Sequence, residues 1–283
     1  MFRLKFIRTA CTTVAIAELI FGMSRAPQAD ANDRFITVAS TTSTRNSGLY
    51  EFILPKFTKQ TGVAVRVIAV GTGQAIRLAK AGDADVLFVH HKPSEEAFIK
   101  NGFGQQRFEV MYNDFIIVGP RSDPARAHKH KNAATALKAI AQSNSPFTSR
   151  GDDSGTHKKE LRLWNAAGID VQKVSGGWYR QTGSGMGATL NTASAMDAYA
   201  LSDRSTWLNF ANKGNLIIIS EGDKRLLNPY GVILVNPKRH PHVKAADGQI
   251  FIDWITSHTG QRTIASFKIK GRQAFFPTLT PKK

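Results

Sequence analysis

The sequence predicts an α/β protein of two lobes joined by two crossing strands. Three observations carry that expectation. Strand-like runs pass through hydroxyl- and glycine-rich turns into helix-like runs at Ser40-Thr41-Thr42-Ser43-Thr44, at Gly71-Thr72-Gly73-Gln74-Ala75 and at Ser149-Arg150-Gly151-Asp152-Asp153-Ser154-Gly155-Thr156-His157. Two long apolar runs echo one another and stop at x-Pro: Phe115-Ile116-Ile117-Val118 before Gly119-Pro120, and Val232-Ile233-Leu234-Val235 before Asn236-Pro237. Between the echoes lies a segment with strands and helices of its own, and helical sequence returns after the second echo.

The chain begins with a basic stretch, Arg3, Lys5 and Arg8, followed by a largely apolar run over residues 10–23 and a small-x-small site at Ala29-Asp30-Ala31. That order predicts a secretory signal over residues 1–31, with Glu18 as its one acidic interruption. The apolar run is short for a membrane span. Cys11 is the only cysteine and falls within the predicted signal, so the remaining chain has no disulfide and no thiolate metal site. Of 283 residues, 252 follow residue 31, enough to bury two cores without covalent staples.

Alternation and β-branched content predict strands at residues 35–39 and 65–70, each leading into a helix, the first around residues 50–57 with an interruption near Pro55. Gly82-Asp83-Ala84-Asp85 then opens Val86-Leu87-Phe88-Val89, a continuous apolar run of the kind found in strands buried on both faces. Residues 109–120 form the first crossing strand, and helices are expected over 135–143, after Thr156, over 189–200 and over 250–257. The expected organisation is a first lobe from residues 32–114 and 231–283, and a second lobe from residues 115–230.

The Arg150 turn concentrates the chemistry. A helix start carries unpaired N–H groups and the positive end of a dipole. Glycine admits an anion to that backbone, hydroxyls add short donors, and arginine adds a charged planar fork. Such a set suits a small oxyanion, although Asp, Ser and Thr also begin helices that bind nothing. The turns at Thr41 and Thr72 repeat the arrangement, and strand–turn–helix units aim such turns out of the carboxyl ends of parallel strands. None has the spacing of a nucleoside-triphosphate loop or a dinucleotide fingerprint.

The formal charge of +17 falls to about +15 without residues 1–31, which carry four basic and two acidic side chains. The basic residues are scattered, no aromatic stacking motif accompanies them, and nucleic acid is not expected as a partner. Ser154 with His157 invites comparison with a hydrolase, but serine and histidine three apart at one helix start are poorly placed for proton transfer, and no nucleophile elbow is present. His90, His91, His128 and His130 lack a third ligand at useful spacing and read as surface or supporting residues. No catalytic residue, metal or cofactor is expected.

The motifs Thr41-Thr42-Ser43-Thr44-x-Asn46-Ser47-Gly48-Leu49, Gly71 to Ala75, Gly82 to His90, Met111 to Pro120 and Ser149 to His157 are co-linear over nearly the whole chain after the signal. In this they resemble the tungstate-binding proteins of bacterial ABC transporters. The resemblance implies the type 2 two-lobed periplasmic binding fold, capture of tungstate outside the inner membrane, with molybdate as a further ligand, and delivery to a permease by a monomer. It places Thr41, Thr42, Thr72, Arg150 and Thr156 at oxyanion-contacting positions, with Gly73 and Ser154 as neighbours.

Burying a dianion uncompensated is prohibitive, so donors from both lobes are expected to converge. Asp152 and Asp153 look misplaced beside an anion; they are expected to orient Arg150 or to cap the following helix. Arg150 to Thr156 also resembles phosphate-binding proteins. Hydrogen phosphate calls for an acceptor carboxylate, which those receptors place after the strand that here ends at Val89; this chain has His90-His91 there.

Overall fold

The computed structural model describes residues 34–278; the predicted signal lies outside them. The first elements are β1 (Phe35–Thr41), α1 (Thr42–Asn46), α2 (Leu49–Thr61), β2 (Ala64–Val70), α3 (Thr72–Ala81), β3 (Val86–Val89), α4 (Lys92–Lys100) and the 17-residue β4 (Gly104–Pro120). There follow α5 (Ala133–Gln142), β5 (Phe147–Ser149), α6 (Gly155–Ala166), β6 (Tyr179–Gln181), α7 (Met186–Ala195), β7 (Tyr199–Asp203), α8 (Arg204–Asn209), β8 (Leu216–Ser220) and β9 (Leu227–Val235). The described chain closes with α9 (Ala245–Thr256), α10 (His258–Ser266), β10 (Lys268–Ile269), β11 (Arg272–Gln273) and β12 (Phe276–Pro277).

The main sheet runs β2-β1-β3-β9-β4-β7-β5-β6. Its two ends are parallel: β1 pairs with β2 and β3, and β5 with β6 and β7. The centre is antiparallel, because β9 and β4 run against their neighbours and against each other. β4 serves both ends. Its residues from Gly104 to Asp114 pair with β9, and those from Phe115 to Pro120 pair with β7 and β8. At the changeover, Arg204 grips Asp114 through Nε and Nη2 at 2.7 and 2.5 Å and reaches Glu221 at 2.7 Å.

Apolar side chains gather on both sides of this strand. Ile36, Ile53, Phe57, Phe88, Val232 and Phe251 belong to one core, and Phe115, Leu137, Phe147, Trp164, Tyr179 and Tyr199 to another. All four residues of β3 are buried, as the unbroken apolar run required. Gly119 is fixed by close approach: a β-carbon there would stand 2.3 Å from the ring of Tyr199.

Three expected boundaries move. Pro55 does not interrupt its helix, since α2 continues through it to Thr61, held by buried Ile53 and Phe57 on the core-facing side. The helix expected over residues 189–200 ends at Ala195. Asp197 adopts φ of 47°, a left-handed conformation, after which Ala198 leads into β7. The first crossing strand starts at Gly104 rather than 109, its polar start carrying no alternation strong enough to mark it.

Candidate anion-binding site

Three strands deliver their following turns to one place. β1 ends at Thr41, β2 leads through Gly71 into α3, and β5 leads through Arg150 into α6. Together with His90 after β3, these turns surround a small cavity lined by Thr41, Thr42, Ser43, Val70, Gly71, Thr72, His90, Arg150, Ser154, Gly155 and Thr156. Thr41, Thr72, Arg150, Ser154 and Thr156 are buried, and Thr42 is half-buried. Six of the seven residues expected at the site therefore meet there. Gly73 does not line this cavity; it stands in the adjoining outer recess with Gln74, Arg77, Asp152 and Asp153.

The helix starts are built differently. Ser154 caps α6: its Oγ accepts from the His157 N–H at 3.2 Å. α3 has no side-chain cap at Gly71, so its first N–H groups keep their donor capacity. Gly155 leaves room for the cavity. A β-carbon there would lie 2.7 Å from His90 Cε1 and 3.0 Å from Thr72 Oγ1.

Arg150 is 5% exposed and is oriented by Asp152, whose Oδ2 accepts from Arg150 Nε and Nη2 at 3.2 and 2.5 Å. Asp152 Oδ1 accepts from the Ser154 N–H at 3.2 Å, so one carboxylate fixes both the arginine and the helix start. Burial alone would raise the Asp152 carboxyl, but hydrogen bonds from Arg150 and Ser154 outweigh it and hold the group below its usual range. Asp153 instead pairs with Lys158 at 3.2 Å. No carboxylate lines the inner cavity.

Ser154 and His157 do not form a nucleophile–base pair. The serine oxygen is engaged in the cap, and His157 Nδ1 accepts from the Asp153 N–H at 3.2 Å. Among the described residues no three His, Cys, Asp or Glu side chains are grouped to hold a metal ion, and no helix is long and apolar enough to cross a membrane.

His90 departs from its expected surface or supporting place. It is 6% exposed, forms part of the cavity wall, and its Nδ1 has no hydrogen-bond partner, as is also true of Thr72 Oγ1. Burial pushes its pKa down to about 4. His91 turns away, its Nδ1 2.6 Å from Ser94 Oγ at the start of α4. Ser43 and Gly71, also unassigned from sequence, sit within the motifs already singled out.

A strand-hinged α/β molecule with donors gathered between its halves is a solute-binding protein in architecture, and the comparisons agree. Residues 26–259 match the model of a PBP superfamily domain, and the chain belongs to that superfamily, with the type 2 two-lobed periplasmic binding fold. Within it, the chain is a member of the family of proteins named TupA. It is 42% identical over 288 residues to the tungstate-binding protein TupA of Peptoclostridium acidaminophilum, covering 99% of each. A solved tungstate-binding protein TupA from Desulfovibrio alaskensis G20 superposes with a TM-score of 0.79 at 41% identity, over 87% of this chain and all of that one. A structure described as the tungstate ABC transporter from Geobacter sulfurreducens gives 0.75 at 48% identity, over 82% and 98%.

The Asp152 linkage has a measurable sign. A carboxylate held below its unfolded value contributes stability above that value, about pH 3.9, and loses it as pH falls through the folded one. Without added anion, Asp152→Asn is therefore expected to lower the urea midpoint at pH 7, with the gap to wild type narrowing below pH 4. A gap independent of pH would show that the charge of Asp152 is not what matters.

Proposed function

We propose that this chain is the extracytoplasmic solute-binding protein of an ABC transporter, which captures tungstate and passes it to a permease in the inner membrane. The carrying observation is the small cavity whose buried wall offers hydroxyls, helix-start N–H groups and Arg150, and no carboxylate. Tungstate near neutral pH is an unprotonated tetrahedral dianion that needs donors alone. The names of the related proteins support the same ligand. Hydrogen phosphate fits less well, because its proton would face a wall without a carboxylate acceptor.

In this reading Thr41, Thr42, Thr72, Arg150, Ser154 and Thr156 contact the anion, and Gly73 borders its entrance. The protein binds without catalysing, uses no cofactor, and works in the periplasm as a monomer after removal of a signal over residues 1–31. Molybdate, of the same shape and charge, is a second ligand. The lobes are residues 32–114 with 231–283, and residues 115–230, and they close about β4 and β9. Thr41, Thr42 and Thr72 then belong to one jaw, and Arg150, Ser154 and Thr156 to the other.

Thermal unfolding against a panel of oxyanions tests the ligand. A ligand confined to the folded state stabilises it by mass action, about 2.7 kcal/mol at a hundred times its dissociation constant. Tungstate is expected to raise the melting temperature most, with sulfate and phosphate at equal concentration doing little. A larger shift with phosphate would replace tungstate as the ligand.

Arg150 tests the site. Arg150→Ala is expected to weaken tungstate binding by about 2–5 kcal/mol, the range for loss of one member of a buried charged contact. Arg150→Lys keeps the charge but not the planar fork and should fall between alanine and wild type. Calorimetric titration of folded variants reads both; an alanine variant that binds like wild type removes Arg150 from the site.

A further inference from the structure

His90 follows β3 and presents one edge of its ring to the cavity. The Cε1–Nδ1 edge faces Gly155: a β-carbon on that glycine would stand 2.7 Å from Cε1, 3.1 Å from Nδ1 and 3.0 Å from Thr72 Oγ1. Two buried polar atoms that lack partners, His90 Nδ1 and Thr72 Oγ1, thus converge on the same small volume at the first turn of α6. Buried polar atoms are nearly always paired, so a pair of orphans facing one space points to a ligand atom that completes both.

The other side of the ring bears on which proton it carries. Nε2 lies 3.4 Å from Ser43 Oγ, which is 3.2 Å from Thr41 Oγ1, itself 2.7 Å from Thr44 Oγ1. A hydroxyl can turn to donate, and with Ser43 donating to Nε2 a neutral imidazole keeps its proton on Nδ1. Burial foremost, and Arg150 in addition, disfavour a second proton; Asp203 and the neighbouring Asn228 amide oppose them without prevailing, and the ring is neutral at pH 7. The ring is braced by Tyr230, whose centroid is 4.8 Å away.

We propose that His90 is a selectivity residue, giving the bound oxyanion one neutral hydrogen bond from Nδ1–H and thereby favouring anions that carry no proton. The inference rests on the oxyanion reading of the cavity. A carboxylate at this position could only accept, and would require a proton on the ligand. An imidazole with its proton on Nδ1 turns only a donor toward the cavity, which an unprotonated oxygen accepts, whereas a hydroxyl turned to it finds no acceptor there for its own proton.

Two measurements on the full mature chain test this. In protein labelled with ¹⁵N at histidine, ring nitrogen shifts report the tautomer of His90, assigned by its loss in a variant. The Nδ1–H form is expected in both the free and the tungstate-saturated protein; the Nε2–H form in the complex would overturn the proposal.

Calorimetry with tungstate and with phosphate then compares His90→Phe, which keeps a ring without a donor, and His90→Asn, whose amide can place an N–H near the former Nδ1. The phenylalanine variant is expected to lose about 10–100-fold in tungstate affinity, the usual worth of a hydrogen bond to a charged group. The asparagine variant should retain affinity within about tenfold of wild type. The ratio of tungstate to phosphate affinity should narrow in the phenylalanine variant. A folded phenylalanine variant that binds and discriminates like wild type would overturn the proposal while leaving the tungstate reading intact. Failure of the wild-type protein to bind tungstate would instead bring down that reading. Should the phenylalanine variant not fold, the tautomer and the asparagine variant still decide.

Discussion

A buried charge must be compensated both with and without ligand, and the pairing of Arg150 with Asp152 meets that requirement in this molecule. Arg150 is nearly enclosed, and an unpaired guanidinium there would be expensive to desolvate. Asp152 compensates it from the side away from the inner cavity and, through its second oxygen, fixes the Ser154 N–H at the start of α6. One carboxylate therefore sets the arginine fork and the helix start in a common frame. Since Asp152 already balances Arg150, the arginine alone cannot neutralise a dianion. The rest must come from oriented hydroxyls and helix-start N–H groups, whose partial charges are fixed before the ligand arrives.

The sheet makes that convergence possible. Its parallel ends send the turns after β1 and β5 toward the middle, while antiparallel β9 and β4 occupy the centre. β4 belongs to both ends, and Arg204 anchors it where its partners change. β4 thus ties the group of turns at one end of the sheet to the group at the other. The outer recess contains a contact between the two groups: a β-carbon on Gly73 would lie 2.9 Å from Asp153 Oδ2, 3.6 Å from Arg77 and 3.7 Å from Lys158. Gly73 thus lies at the rim, close to the tips of the Asp153, Arg77 and Lys158 side chains.

Much of this was legible in the sequence because the telling residues act locally. Turn chemistry marked the Thr41, Thr72 and Arg150 segments, and apolar runs marked β3 and the crossing strands. The misplacement of two aspartates beside an anion motif was itself informative, since Asp152 does orient Arg150. Boundaries set by tertiary packing were not legible. Pro55 reads as a helix breaker, yet burial of Ile53 and Phe57 carries α2 through it. Ala198 to Ala200 extends a helical composition, yet the left-handed turn at Asp197 sends it into β7.

His90 was illegible for a different reason. A histidine after a buried strand has the same sequence appearance whether it faces solvent or a cavity, and its neighbour His91 takes the exposed-side role of contacting Ser94. What separates the two rings is the turn out of β3, in which His91 becomes the residue that opens α4, together with the missing side chain of Gly155 some 65 positions along the chain. The space in front of His90 exists only because α6 begins with that glycine after its serine cap. The motif that announces an anion site thus also creates the opening for the histidine that the motif does not contain.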